Sequence, residues 1–238
     1  AVAEKYGMLR FCRFDTTVQA LRWDDAGACW RARLADGHEI RARTVISAIG
    51  MFNDIALPDI DGLGDFTGTV FHTARWPADH DLTGRGAALI GSAASAVQPA
   101  PEIAPLVARL DLYQRTPQWV LPKQDTPYTE AELAFFRAHP EAVAARRAEL
   151  RAQLESVILF DDPRLLADAE AAGRRNLEQV ADPELRRRLT PDWSYGCRRP
   201  LLSNRYYPMF NRPNVRLIDA GIARVAPDGI VTGMGELR

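Results

Sequence analysis

The sequence of 238 residues predicts an α/β protein, and three patterns support this class. Residues 17–49 alternate apolar and polar side chains between glycine-containing turns, which is typical of an antiparallel meander. The apolar stretch "GAALIG", residues 86–91, leads through a glycine turn and a helical segment to a second apolar stretch, "LDLYQR". That order predicts a βαβ unit with a parallel sheet. Residues 128–190 have helical spacing and predict a helical insertion.

The elements follow from these patterns in order. We expect strands over 17–23, 29–35 and 38–50, and the continuously apolar "TVISAIG" predicts that the third strand enters a buried sheet. The Pro/Gly/Asp-rich "LPDIDGLGDF" then places a domain boundary near residue 62. Thr129 with Glu132 predicts a capping box, and Asp162 and Asp182 precede prolines as helix N-caps. "NVRLID" predicts one more strand, and "GIARVAPDGIVT" predicts a hairpin.

Composition narrows the classes of partner. A formal net charge of −1 disfavours nucleic-acid and membrane-surface binding, which need an excess of basic residues. No apolar run approaches the roughly 18 residues that a membrane span requires. The three cysteines lack metal-ligand spacing, so we expect a reduced, cytoplasmic protein without a metal site. The sequence opens without Met and ends at "GMGELR" in mid-pattern, so we expect a segment of a longer protein.

The glycine turn "GSAASA", residues 91–96, fits the dinucleotide pattern G-x-G-x-x-[GA], with Ala93 in place of the second glycine. In that pattern the first glycine allows the tight turn, and amide groups at the helix start bind a pyrophosphate. The methyl group of Ala93 points toward the pyrophosphate position, so we expect it either to weaken binding or to shift the dinucleotide outward. A plain strand-turn-helix without a bound dinucleotide would give the same sequence pattern. The predicted fold is a Rossmann-like, three-layer dinucleotide-binding domain. The predicted cofactor-binding residues of the turn are Gly91, Ala93, Ala94, Ser95, Ala96 and Gln98.

The end of the second strand indicates which dinucleotide binds. A fold that binds NAD places an acid there to accept the ribose hydroxyls, whereas this sequence has Arg115 and Thr116. A guanidinium group suits the 2′-phosphate of NADPH, because it forms bidentate, charge-assisted hydrogen bonds. The alternative is that Arg115 is a solvated surface residue.

The segment "FTGTVFHTARWP", residues 66–77, fits the fingerprint F-x-G-x-x-x-H-x-x-x-W-P at Phe66, Gly68, His72, Trp76 and Pro77. With "QRTP", "RTVISAIG" and residues 196–219, it makes the chain resemble the Baeyer–Villiger monooxygenases, a branch of the flavin-containing monooxygenases. The resemblance covers essentially the whole chain, but the family's FAD-binding glycine motif has no counterpart in it. The resemblance therefore implies a central portion. Its implied parts are part of an FAD domain (1–62), an NADPH domain (63–225, with the insertion 128–190) and the start of a return to the FAD domain (226–238).

The resemblance also implies an activity and residue roles. Enzymes of this family use FAD, NADPH and O₂ to insert oxygen into a ketone through a C4a-peroxyflavin, which gives an ester or lactone. Arg199 matches the active-site arginine, and Arg198 matches the residue that grips the 2′-phosphate. His72 is implied to be a hydrogen-bonding latch on the linker between the two cofactor domains.

Several alternatives stay open at this point. Arg199 pairs with an acid in one alternative, and His72 is purely structural, with Trp76 as a packed anchor, in another. The enzyme could instead oxygenate sulfur or nitrogen, or the chain could be a dinucleotide-binding module that is inactive by itself. The sequence does not specify the ketone, the regiochemistry or the oligomeric state.

Overall fold

A computed structural model of the protein describes residues 2–50, 52–123, 125–158 and 162–238. The chain divides into two compact units, Ala1–Asp54 and Ile55–Arg238. The division falls before the boundary expected near residue 62, and residues 226–238 lie within the second unit. The cofactor-domain limits 1–62, 63–225 and 226–238 stay predictions.

The first unit contains the predicted meander. It has a short helix α1 (Val2–Lys5) and the strands β1 (Val18–Asp24), β2 (Cys29–Leu34) and β3 (Glu39–Ala42). The strands pair antiparallel in the order β1-β2-β3. Trp23 lies opposite Trp30, with the ring centroids 5.6 Å apart in an edge-to-face arrangement. The alternating pattern therefore predicted these strands correctly.

The predicted continuation of the third strand is wrong. β3 ends at Ala42, and residues 43–50 have no strand structure. Ile46 is 88% exposed and Ile49 is 77% exposed. The pairing stops because Ala42 already lies opposite Trp30, next to the first residue of β2. Residues 43–50 therefore have no strand to pair with among the described residues of this unit.

The second unit contains a parallel sheet, and the expected insertion interrupts its chain order. Val120–Leu121 and Leu201–Leu202 pair in parallel on either side of the long helices, so they join the two ends of the insertion. Residues 159–161 of the predicted insertion lie outside the described residues. The elements are β4 (Gly86–Ile90), α2 (Ala94–Val97), α3 (Ala100–Ile103), β5 (Arg109–Tyr113), β6 (Val120–Leu121), α4 (Glu130–Ala138), α5 (Pro140–Ile158), α6 (Pro163–Leu177), α7 (Pro183–Leu189), β7 (Leu201–Leu202), α8 (Tyr206–Met209), β8 (Val215–Ile218), β9 (Ile222–Ala226) and β10 (Gly229–Thr232).

The parallel sheet has the order β4-β5-β8 and lies between two layers. Leu110 and Leu112 of β5 pack in a core with residues of α2, α3 and α8. Tyr113 lies on the opposite face, because successive strand residues alternate, and it packs with Ile218 of β8 and with Val225 and Ile230 of the β9–β10 hairpin. The described sheet thus lies between a layer of helices and the β9–β10 hairpin, and the mixed α/β class agrees with the prediction.

Two details of the βαβ unit differ from the sequence-based expectation. β4 is an edge strand of the described sheet, and Ile90 is 41% exposed, so "GAALIG" is not a buried strand. The expected single helix is also broken into α2 and α3 at Pro99. Proline has no amide hydrogen and cannot continue the helical hydrogen bonding.

The predicted helix starts of the insertion are confirmed. The Thr129 hydroxyl accepts from the amide of Glu132 at 3.3 Å, and the Glu132 carboxylate accepts from the amide of Thr129 at 2.7 Å. The side chains of Asp162 and Asp182 each accept from amides in the first turn that follows them. These local caps fix where the insertion helices begin.

Candidate functional site

The first part of the fingerprint segment 66–77, termed the linker, is attached to the β9–β10 hairpin. The amide and hydroxyl of Thr67 both donate to the carbonyl of Pro227, at 2.9 and 2.7 Å. The half-buried ring of Phe66 packs against the hairpin core. A side chain at position 68 would collide with that ring, so a glycine is needed there. The spacing of Phe66 and Gly68 therefore has a local packing cause.

The second part of the linker is held by His72 and Trp76. The Nδ1 atom of His72 accepts from the amide of Ala74 at 3.1 Å and caps the 3₁₀ turn Thr73–Arg75. Because Nδ1 accepts, the proton of the neutral ring lies on Nε2. The Trp76 ring meets Phe71 edge to face, with the centroids 4.9 Å apart. Residues that hold the linker in one conformation would make contacts of this kind.

A groove of about 670 Å³ runs along β4. Four residues of the fingerprint, Phe66, Gly68, His72 and Trp76, line it together with residues of the glycine turn. The turn contributes Gly91, Ala93, Ser95 and Ala96. The fold thus brings most of the fingerprint and most of the predicted pyrophosphate residues to one surface.

The backbone of the turn is open to a ligand. Gly91 has φ +111°, which L side chains rarely adopt, and the space beside its Cα is empty among the described residues. Ala93 is exposed and has extended backbone angles. The buried Ser92 hydroxyl donates to the carbonyl of Thr116 at 3.2 Å. This hydrogen bond joins the turn after β4 to the segment after β5, which carries Arg115.

The predicted phosphate-binding arginines lie at the end of β5 and on the segment after α7. Arg115 directly follows the buried Gln114 and is exposed. Arg198 is also exposed, and its guanidinium lies 5.3 Å from the ring centroid of Trp193. The indole of Trp193 donates to the carbonyl of Pro117 at 3.1 Å, two residues beyond Arg115. Arg198 is therefore connected through one side chain to the end of β5.

Other predicted residues are not part of the groove along β4. In the described chain, its lining does not include Pro77, Ala94, Gln98, Arg115, Thr116, Arg198 or Arg199. Gln98 lines a second, open groove of about 730 Å³ together with Trp76, Ser95, Lys123 and Arg205. Arg199 is exposed. The predicted site residues are thus not gathered in one place. The fingerprint and the glycine turn share the groove along β4, whereas Arg198 and the segment that carries Arg115 both contact Trp193.

A charged cluster on β5 and β8 was not predicted from the sequence. Asp111 is 2% exposed and lines the groove along β4. Both of its oxygens accept from Arg216, at 2.7 and 2.8 Å, and Arg109 lies 3.3 Å away. The hydrogen bonds that Arg216 donates to Asp111 raise the pKa of Arg216, while burial and then the charge of Asp111 raise the pKa of Tyr113. An acid inside a buried strand was the available signal, because such a charge needs a partner.

Two kinds of feature are absent from the part of the chain that the structure describes. No group of three or more His, Cys, Asp or Glu side chains there could hold a metal ion. Among those residues, no helix combines the length and the apolar character that crossing a membrane requires.

The comparisons with known proteins confirm the resemblance that the fingerprint indicated. No protein-family model matches the chain. The chain is 41% identical over 99% of its length to a Baeyer-Villiger monooxygenase from Pseudomonas aeruginosa, of which it covers 45%. The chain thus spans about half the length of the curated relatives that it matches.

Solved structures share the fold over the whole chain. A steroid monooxygenase bound to NADP has a TM-score of 0.82 and 29% identity, and the match covers 100% of this chain and 53% of that one. A cyclohexanone monooxygenase from Rhodococcus sp. Phi1 bound to NADP+ has a TM-score of 0.81 and 26% identity, with coverages of 100% and 52%. The α/β class and the partial coverage both agree with the prediction of a central portion.

Proposed function

We propose that this chain is the NADPH-binding part of an FAD- and NADPH-dependent monooxygenase that inserts oxygen from O₂ into ketones and forms esters or lactones. The observation that carries the proposal is the shared groove of the linker fingerprint and the glycine turn. The similarity to proteins named Baeyer-Villiger monooxygenase, along nearly the whole chain, supports the class of reaction.

The residues at the glycine turn fit a dinucleotide. Gly91 leaves open space at the point where a pyrophosphate would approach, and Ser95 and Ala93 are exposed beside it. Helix α2 is only one turn long, so its dipole adds little, and affinity has to come from amide and guanidinium groups. Arg115 and Arg198 would hold the 2′-phosphate. When bound, NADPH supplies a hydride.

The described residues do not fit FAD in the same way. A pyrophosphate site of this type needs a glycine turn between a parallel strand and a helix. The described part of the chain has one such junction, at Gly91, and we assign it to NADPH. The strands of the first unit are antiparallel. We therefore assign no FAD site to these residues, and by itself the chain acts as a dinucleotide-binding module without oxygenating activity.

Arg199 is proposed to act on the ketone. Its guanidinium carries a permanent positive charge, which stabilises the negative oxygen that develops when a carbonyl group is attacked. In the full-length protein, Arg199→Ala should abolish ketone oxygenation while NADPH oxidation by the flavin persists. The exposed Arg212→Ala is the matched control, and normal lactone formation by the Arg199 variant would rule out this role.

The experiment that tests the proposal is a comparison of NADPH and NADH binding to the chain by isothermal titration calorimetry. Charge-assisted hydrogen bonds to the 2′-phosphate should make NADPH bind about 10- to 100-fold more tightly. Arg115→Ala should remove most of this preference and leave NADH binding unchanged, whereas Arg212→Ala should have no effect. Equal affinities of the unaltered chain for both cofactors would refute the proposal.

A further inference from the structure

Trp193 connects two parts of the second unit that are far apart in sequence. It lies between α7 and Arg198, and its indole nitrogen donates to the carbonyl of Pro117 at 3.1 Å. Its own carbonyl accepts from the indole nitrogen of Trp119 at 2.9 Å. The segment that carries Trp193 is thus fixed to the segment after β5 by two hydrogen bonds, one in each direction.

The anchor behind Trp193 is buried and closely packed. Trp119 is 1% exposed, and its ring meets that of Trp193 edge to face at 6.4 Å. A side chain at Gly173 of α6 would approach the Trp119 ring to 2.9 Å, so helix and indole are in close contact. The guanidinium of Arg174 lies 5.2 Å from the centre of the same ring, and Glu170 holds that guanidinium at 2.7 Å.

Arg198 is the outermost side chain of the group formed by Trp119, Trp193 and Arg198. Its guanidinium lies 5.3 Å from the ring centre of Trp193, within the range of a cation–π interaction. An exposed arginine otherwise loses rotamer freedom when it binds a ligand, and stacking on a fixed ring reduces that loss. The ring that Arg198 stacks on is hydrogen-bonded to Pro117, which is two residues beyond Arg115.

We propose that Trp193 is a positioning residue for the 2′-phosphate of NADPH. It holds the guanidinium of Arg198 beside the end of β5, where Arg115 lies, so that both arginines bind the same phosphate. The inference rests on the proposed function, because it names how that function's cofactor is selected. It adds a residue that acts through Arg198 and does not itself contact the phosphate.

The test uses the whole chain and two probes, adenosine 2′,5′-bisphosphate and 5′-AMP, which differ by the 2′-phosphate. The preference is the ratio of the two dissociation constants. Trp193→Leu should reduce this preference about fivefold and leave 5′-AMP binding unchanged. Trp193→Phe keeps a ring for the guanidinium and should keep the preference within about twofold. Trp23→Leu, in the first unit, is the matched control.

A double-mutant cycle separates positioning from general packing. In an Arg198→Ala background, Trp193→Leu should have no further effect on the preference. The inference is overturned if the Leu variant keeps the preference or weakens the binding of both probes equally. It is also overturned if Trp193→Leu reduces the preference by the same factor with and without Arg198→Ala. If the Leu variant does not fold, a Phe variant that loses the preference overturns it, and one that keeps it supports it. If the unaltered chain does not distinguish the probes, the proposed 2′-phosphate site fails first, and this inference fails with it.

Discussion

The linker and the arginine-bearing segments of the second unit are held in opposite ways. The side chains of Phe66, His72 and Trp76 contact neighbouring protein groups, through ring packing and through the cap on the turn Thr73–Arg75. Arg115 and Arg198 expose their charged groups, and Trp193 supports Arg198 from behind. The difference indicates that the fingerprint fixes a backbone conformation, whereas the arginines are available to a ligand. Substitutions should therefore separate stability from binding.

The largest effect is expected where both arginines are removed. Arg115→Ala combined with Arg198→Ala should weaken NADPH binding about 100-fold, because two charge-assisted contacts are lost. The free energy of unfolding should change by less than about 0.5 kcal/mol, as is usual for exposed residues. Calorimetric titration and urea unfolding measure the two quantities. A marked loss of stability would contradict this distinction, because the two arginines would then stabilise the fold.

Phe66→Ala should have the next largest effect, and on stability. Removing a half-buried ring from the hairpin core should cost about 2 kcal/mol, less than the loss for a fully buried phenylalanine. Urea unfolding followed by tryptophan fluorescence measures this change, and the exposed Phe14→Ala is the control. If the Phe66 variant is as stable as the control, the packing role of the fingerprint is wrong.

His72→Ala should have a smaller effect. Loss of the cap on the turn Thr73–Arg75 should reduce stability by about 1 kcal/mol, while His72→Asn, which also caps well, should stay close to the unaltered chain. Neither variant should change the ratio of NADPH to NADH affinity. An Asn variant that is as unstable as the Ala variant would show that the imidazole has a role beyond capping.

Much of the local structure could be predicted from the sequence, because its causes lie within a few residues. The caps at Thr129, Asp162 and Asp182 and the hairpin around Pro227 depend on neighbouring backbone only. Burial could not be predicted in the same way. "TVISAIG" and "GAALIG" are apolar, yet the first has no strand beside it in the described unit and the second is at a sheet edge.

The candidate site was predictable in part for the same reason. The glycine turn and the linker fingerprint are short patterns, and the fold places most of their residues on one groove. The connections of Trp193 to Pro117 and of Asp111 to Arg216 cross long stretches of chain. The identity of a residue does not indicate which distant segment its side chain will contact. These two connections were therefore found only in the structure.

A crystal structure of this chain with NADPH tests the central claim most directly. We predict that oxygens of the 2′-phosphate lie within about 3 Å of guanidinium nitrogens of both Arg115 and Arg198. The pyrophosphate should lie against the turn that begins at Gly91. A 2′-phosphate that contacts neither arginine, or a dinucleotide seated beside Lys123 and Arg205, would contradict the account.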